Sequence, residues 1–114
     1  MPQYLALIYT VDGDWSDPQY AEMTADYEAF AAGAAAVLRG GNALMPATTA
    51  TTILVTGKGG DVVATDGPFT ETKEVLGGYF VLECADLDEA MSWAAQIPGA
   101  WNGAVEVRPI LPRG

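Results

Sequence analysis

The segment from Gln3 to Thr10 has an apolar side chain at nearly every position. Successive side chains of a strand point to opposite faces of a sheet, so both faces of this strand are apolar. The two sets are Tyr4, Ala6 and Ile8 on one face, and Leu5, Leu7 and Tyr9 on the other. The pattern predicts a strand that is buried on both sides.

Apolar residues at helical spacing follow an acidic loop. Ser16 or Asp17 can cap this helix, with Pro18 in the first turn, where a missing N–H costs nothing. The apolar side comprises Tyr20, Met23, Tyr27, Phe30, Ala31, Ala34, Val37 and Leu38. The pattern predicts about five turns of amphipathic helix, ended by Gly40-Gly41. Residues 42–46 then form a short strand or an extended link.

Two runs of β-branched residues, Thr51 to Thr56 and Asp61 to Thr65, flank a glycine-rich turn at residues 57–60. This arrangement predicts a β-hairpin. Residues 76–84 predict a further strand, and its Gly77-Gly78 pair indicates a bulge or a close approach by another group. One face of that strand carries Tyr79, Val81 and Glu83, and the other face carries Phe80, Leu82 and Cys84.

A second helix begins with a capping box, in which Asp86 accepts from the third amide and Glu89 reaches back. Apolar residues continue at helical spacing until Pro98-Gly99, which ends the helix. The last predicted strand is Ala104 to Ile110.

The element order predicts one domain, residues 1–114, with a ferredoxin-like βαβ-β-βαβ α+β sandwich fold. Helices then cover one face of a mainly antiparallel sheet. The second apolar face would be exposed, so we expect a homodimer with sheet packed on sheet. The alternative is a monomer in which the remaining chain covers that face.

Charge limits the classes of partner. Fifteen acidic residues stand against five Lys and Arg, which occur singly. Nucleic acid and anionic membranes are therefore not expected as partners. An anionic ligand is possible only if the few cations converge in space. With no histidine and one cysteine, Cys84, no metal site or cofactor is predicted. The unpaired cysteine and the absence of a signal peptide predict a cytoplasmic protein that is mature from residue 1.

The segment 66–74, with sequence DGPFTETKE, carries the densest polar chemistry. Pro68 has no N–H, and it pushes Gly67 toward extended geometry, so an open bend is expected. Such a bend could aim Asp66, with Glu71 or Glu74, as a base, and Lys73 as an acid or anion-binding partner. In the structural alternative, Asp66 accepts from loop amides, Phe69 fills the core and Lys73 makes a surface ion pair.

Three residues outside this segment are further candidates for ligand binding. Tyr79 could offer its hydroxyl to a cleft, although a tyrosine in an apolar strand is also typical of a core or interface. Arg39 and Arg108 are the cations whose side-chain direction a helix or strand would fix, and a surface ion pair is the alternative role for each.

The segment 66–74, with Leu76-Gly77-Gly78-Tyr79 and the residues 86–90 and 105–109, closely resembles the DGPF-containing branch of the YCII-related proteins. The resemblance implies a ferredoxin-like fold that dimerises into an α/β barrel, as in small monooxygenases and muconolactone isomerases. The biochemical function of that branch is largely unassigned. A His–Asp dyad has been suggested for shorter relatives, and it cannot exist here without histidine.

Two functions are consistent with these features. One is a small dimeric protein that binds a small molecule in a pocket between sheet and loop, with acid–base chemistry by Asp66 or a neighbouring Glu. The other is a non-enzymatic accessory protein that acts through protein contacts. The resemblance offers an extracytoplasmic-function sigma factor as the example of such a partner.

Overall fold

The computed structural model describes residues 1–113. Its elements, in chain order, are β1 (Gln3–Val11), α1 (Ala21–Gly33), β2 (Leu38–Ala43), β3 (Thr51–Val55), β4 (Val62–Asp66), β5 (Glu74–Glu83), α2 (Leu87–Ala94), α3 (Gly99–Asn102) and β6 (Ala104–Pro109). Short 3₁₀ turns at Pro18–Tyr20 and Ala47–Thr49 precede α1 and β3.

Four of the strands form one antiparallel sheet in the order β2-β5-β1-β6. With the β3–β4 hairpin set aside, the chain runs strand, helix, strand, strand, helix, strand through this sheet. That order and pairing are ferredoxin-like, and they confirm the predicted α+β fold.

The core lies between one face of the sheet and the helices. Tyr4, Ala6 and Ile8 of β1 are buried, and Leu82 of β5 is fully buried opposite Tyr4. The helices complete this cluster with Phe30, Ala90 and Ala94, together with Ala34 directly after α1. The alternation predicted for β1 and β5 thus places one apolar set inside.

The other sheet face carries the second apolar set, and no element of residues 1–113 buries it. Register places Leu5 opposite Val81, Leu7 opposite Tyr79, and Tyr9 opposite Leu76. We call these residues the open face: Leu5, Leu7, Tyr9, Leu76, Tyr79 and Val81. They are half-buried or exposed, so β1 is buried on one side only in a single chain.

The first helix is shorter than predicted. It ends at Gly33, and the Val37 and Leu38 amides both donate to the Ala34 carbonyl in a turn. Gly40 and Gly41 therefore do not stop a helix but lie inside β2. A β-carbon at Gly41 would collide with the Phe80 ring, so glycine is what lets β2 pair closely with β5.

The N-terminal caps agree with the sequence. Asp17 accepts a 3.0 Å hydrogen bond from the Gln19 amide ahead of α1. Asp86 accepts one of 2.9 Å from the Glu89 amide, and Glu89 accepts from the Ala85 amide at 3.2 Å. The second helix was predicted to run to Pro98-Gly99. It instead ends at Ala94, and α3 begins at Gly99 directly after Pro98.

The predicted hairpin forms a separate two-stranded sheet of β3 and β4, which we call the arm (residues 51–66). Its five large aliphatic side chains are exposed: Ile53, Leu54, Val55, Val62 and Val63. The radius of gyration is 16.0 Å, compared with about 13 Å for a compact domain of this length. Because neither face of the arm is covered, it contributes little apolar burial in one chain. Within residues 1–113, no helix is long and apolar enough to cross a membrane.

Leu82→Ala should lower the free energy of unfolding by about 2 to 5 kcal/mol, because it opens a cavity at a fully buried site. Leu111 is 83% exposed, so Leu111→Ala should change it by less than about 0.5 kcal/mol. Urea denaturation followed by circular dichroism measures both. Equal losses in the two variants would contradict the assignment of the core.

Candidate functional site

A cavity of about 440 Å³ lies between α1 and the sheet. It exists because α1 stands off the strands over its first half: Phe30 is the only residue within this helix that is buried. The lining residues are Ile8, Thr10, Trp15, Tyr20, Met23, Thr24, Tyr27, Glu28, Ala31, Gly41, Asn42, Ala43, Gly77, Gly78, Tyr79 and Phe80. Strands β1, β2 and β5 make the floor, and α1 with the preceding loop makes the wall.

Glycine shapes the floor of this cavity. The pairing of β1 with β5 shifts register between Ile8 and Tyr9, where Gly77 is the additional residue. A β-carbon at Gly77 would lie 3.1 Å from the Thr10 hydroxyl oxygen and 3.5 Å from the Trp15 ring. The predicted bulge is therefore confirmed, and it gives Trp15 room beside the strand end. Trp15 also meets Tyr20 edge to face, with ring centroids 4.9 Å apart.

Tyr27 forms the α1 side of the cavity. Its ring lies 6.3 Å from the Phe80 ring, centroid to centroid. Burial raises the pKa of the Tyr27 phenol, and a hydrogen bond from the Gly99 backbone opposes that shift. The phenol therefore keeps its proton at neutral pH, and it can donate a hydrogen bond to a bound molecule.

The polar groups of the cavity are few. Thr10, 7% exposed, is a buried hydroxyl residue in an otherwise apolar strand, and its Oγ1 donates to the Val11 carbonyl at 3.3 Å. On the open face, in contrast, Asn42 Nδ2 donates to the Tyr79 hydroxyl at 3.1 Å. Glu28 is the only charged residue among the lining residues. An apolar space with a small set of hydroxyls is suited to orienting an organic molecule.

Of the candidate site residues, only Tyr79 belongs to the floor of the cavity, and its register opposite Leu7 places its ring on the open face, so its binding role stays a prediction. Asp66 ends β4 opposite Thr51, and Glu74 begins β5 opposite Val11. Glu71 and Lys73 are exposed in the segment between those strands. The catalytic roles of Asp66, Lys73 and Glu74 and the binding role of Glu71 stay predictions.

The two candidate arginines are in ion pairs on the sheet. Arg39 Nη2 lies 3.2 Å from Glu83 Oε2, across the β2–β5 pair. Arg108 Nε lies 3.8 Å from Glu106 Oε2 within β6. Neither arginine lines the cavity, and their roles in ligand binding also stay predictions.

The bend at residues 66–69 differs from the expected geometry. Gly67 adopts φ +103°, a conformation that glycine permits, and not the extended one predicted from Pro68. Its amide donates to the Ala50 carbonyl at 2.7 Å and its carbonyl accepts from Thr52 Oγ1 at 2.8 Å, so the bend belongs to the arm. Phe69 is 78% exposed and does not fill the core.

Most of the cavity residues were not recognised in the sequence as a site. Tyr20, Met23 and Tyr27 were placed in the core by their helical spacing, which cannot show that the helix stands off the sheet. The signals were Gly77-Gly78 and the hydroxyl of Thr10 in an apolar strand. In the described part of the chain, no cluster of three or more His, Cys, Asp or Glu is placed to hold a metal ion.

Gly99→Ala should lower the free energy of unfolding by about 1 to 3 kcal/mol, because the new methyl group overlaps the wall of the cavity. The β-carbon would collide with Ile8 Cγ2 and would lie 2.7 Å from the Tyr27 hydroxyl. Gly33→Ala is the matched control: nothing lies within 4 Å of its β-carbon, so stability should stay level or rise by up to about 1 kcal/mol. Thermal unfolding measures both, and a neutral Gly99→Ala would contradict the close approach.

Known proteins that are similar to this chain include a bacterial relative and a solved enzyme structure. An uncharacterized protein of Rhizobium meliloti is 42% identical over 69 residues, which are 59% of this chain and 54% of that protein. The matched part thus spans about half the length of that relative. A solved structure of 5-chloro-2-hydroxyhydroquinone dehydrochlorinase from Burkholderia phenoliruptrix, in complex with 2,5-dihydroxybenzoquinone, aligns with a TM-score of 0.49 and 20% identity. That alignment covers 96% of this chain and 95% of the dehydrochlorinase. At this level of similarity, its ligand says nothing about the ligand of this chain.

The family of this chain is shown by a match that is longer than the one to the Rhizobium meliloti protein. Residues 3–113 match the YCII-related domain, so the match includes every strand and helix of the structure and the segment 66–74. This chain belongs to the YCII-related family.

Proposed function

We propose that this protein binds a small organic molecule in the cavity between α1 and the sheet. The observation that carries the proposal is the cavity itself, whose volume of about 440 Å³ falls in the range of about 300 to 1,000 Å³ typical of small-molecule sites. Its walls combine apolar side chains with a few hydroxyls, the composition that such sites share.

The chemistry of the cavity supports binding more directly than catalysis. Tyr27 and Thr10 offer hydroxyls that can orient a ligand, and Glu28 is the only charged side chain in the lining. The acid–base chemistry proposed for Asp66, Lys73 and Glu74 would need those groups to reach a cavity that they do not line in one chain. We keep that chemistry as a proposal for the assembled protein.

We also propose that two copies pair through the open face into a dimeric α/β barrel. Six half-buried or exposed side chains form that face, and ion pairs border it at Arg39–Glu83 and Arg108–Glu106. Apolar patches of this kind are typical of interfaces. The segment 66–74 further supports placing the chain in the DGPF-containing branch, and the unpaired Cys84 supports a cytoplasmic location.

A second candidate function is that of an accessory protein that acts through protein contacts. The observation that favours it is the arm, which exposes five aliphatic side chains on an isolated hairpin. Two-stranded hairpins are marginal in water on their own, so a partner would stabilise this one. A sigma factor is the partner class that the family resemblance offers.

Filling the cavity should abolish ligand binding. Ala31 lines the cavity, so Ala31→Phe should remove every metabolite-induced rise in melting temperature that the unmodified protein shows. Ala32 is the exposed neighbour on α1, and Ala32→Phe should keep those rises. A thermal-shift screen of a metabolite library measures both variants, with circular dichroism to verify folding. Hits that survive in a folded Ala31→Phe protein would contradict binding in this cavity.

The dimer should have twice the chain mass of 11.9 kDa in sedimentation equilibrium at micromolar concentration. Leu7→Asp places a charge in the centre of the open face, and it should shift the mass to that of one chain. Leu111→Asp, at an exposed position, should leave the dimer intact. A monomer in the unmodified protein would overturn the proposed assembly.

A further inference from the structure

We infer that the molecule bound in the cavity is an organic cation, an amine or a quaternary ammonium compound. This inference rests on the proposed function, because it names the class of ligand for the same cavity. Three independent features carry it: the aromatic lining, the distribution of charged side chains around the cavity, and the charge of the whole chain.

Most of the large side chains that line the cavity are aromatic. They come from three parts of the chain: the loop before α1, α1 itself and β5. The four on the helix side of the sheet are Trp15, Tyr20, Tyr27 and Phe80. The face of an aromatic ring is the negative end of its quadrupole, so rings around a cavity attract a cation, and such cages are typical of quaternary ammonium sites.

The charged groups near the cavity have one sign. Glu28 is the only charged lining residue, and it lies on α1 one position after Tyr27. It is exposed, so its carboxylate needs no compensating partner within the protein. A carboxylate beside aromatic walls favours a cationic ligand and repels an anionic one.

None of the five Lys and Arg residues lines the cavity. Arg39 and Arg108 are in ion pairs with Glu83 and Glu106 on the sheet. Lys58 lies in the turn of the arm, and Lys73 lies in the exposed segment before β5. Arg113 lines a separate cavity near the N-terminus. The condition for an anionic ligand, convergence of the few cations, is therefore not met at this cavity.

The electrostatic field of the whole chain also favours a cationic ligand. The chain carries a formal net charge of -10 at pH 7, and a field of this sign raises the local concentration of cations near the surface. Hydroxyls of the lining, such as those of Thr10 and Tyr27, have oxygen lone pairs that can accept from an ammonium N–H.

The test compares three probes of nearly the same shape: choline, neutral 3,3-dimethyl-1-butanol and anionic 3,3-dimethylbutyrate. Dissociation constants come from titrations followed by ¹⁵N-resolved NMR, read at the amides of cavity residues. Choline should bind at least about threefold more tightly than the neutral alcohol, and the carboxylate should bind most weakly. The preference for choline should shrink as salt screens the charges.

Glu28→Gln should reduce the preference of choline over the neutral alcohol, because it removes the lining carboxylate. Glu22→Gln is the matched control on α1, since Glu22 is exposed and does not line the cavity. It should leave the preference unchanged.

The inference is overturned if the neutral alcohol binds as tightly as choline, or if none of the three probes shifts the cavity amides. Either result leaves the proposed function intact, because binding in the cavity is tested separately by the metabolite screen on Ala31→Phe and Ala32→Phe. If both variants keep the hits of the screen, the ligands do not bind in this cavity, and the proposed function itself is contradicted.

Discussion

The structure depends on β1, a central strand whose two faces are both apolar. Paired to β5 on one side and β6 on the other, it fixes the register of the sheet. Its Tyr4, Ala6 and Ile8 face seeds the core, which the helices then cover. Burial of apolar surface, to which this set contributes, is the dominant favourable term in folding. Its other face is left half-exposed, and a second apolar surface therefore remains after the chain has folded.

The same sheet carries the cavity because α1 does not follow it closely. A helix that buries only Phe30 within its length contributes little packing over its first turns. The gap is closed at one end by Trp15 and Tyr20, and on the floor by the bulge at Gly77. A bulge bends a strand and changes its pairing, and such irregularities recur beside functional sites. The floor and the wall of the cavity thus have different physical origins. The register of the strands shapes the floor, and the wall is a helix that packs on the core only in its C-terminal half.

The sequence predicted the sheet better than the site. Alternation in β1 and β5 identified both faces correctly, because side chains of a strand change face at every residue and a register error would reverse them all. The end of α1 was predicted wrongly because Gly40 and Gly41 are typical of a helix terminus, whereas here they permit close pairing of β2 with β5. Local pattern cannot distinguish these uses of glycine, since the partner strand is distant in sequence.

The functional site was harder to predict from the sequence than the sheet, for a related reason. The segment 66–74 is locally the most polar part of the chain, but its bend continues the arm through hydrogen bonds of Gly67. The cavity residues, in contrast, are individually ordinary: an aromatic on a helix, a threonine in a strand and a pair of glycines. Only the three-dimensional separation of α1 from the sheet makes them one site, and Gly77 and Gly78 are the lining residues that the sequence had also marked.

The most direct test of the central claim is a map of backbone amide shifts on the folded protein, in a titration with a hit from the metabolite screen. If the ligand binds between α1 and the sheet, the largest changes should fall on Thr10, Tyr27, Gly77 and their neighbours. Changes confined to the segment 66–74 or to the arm would contradict the account and place the site elsewhere.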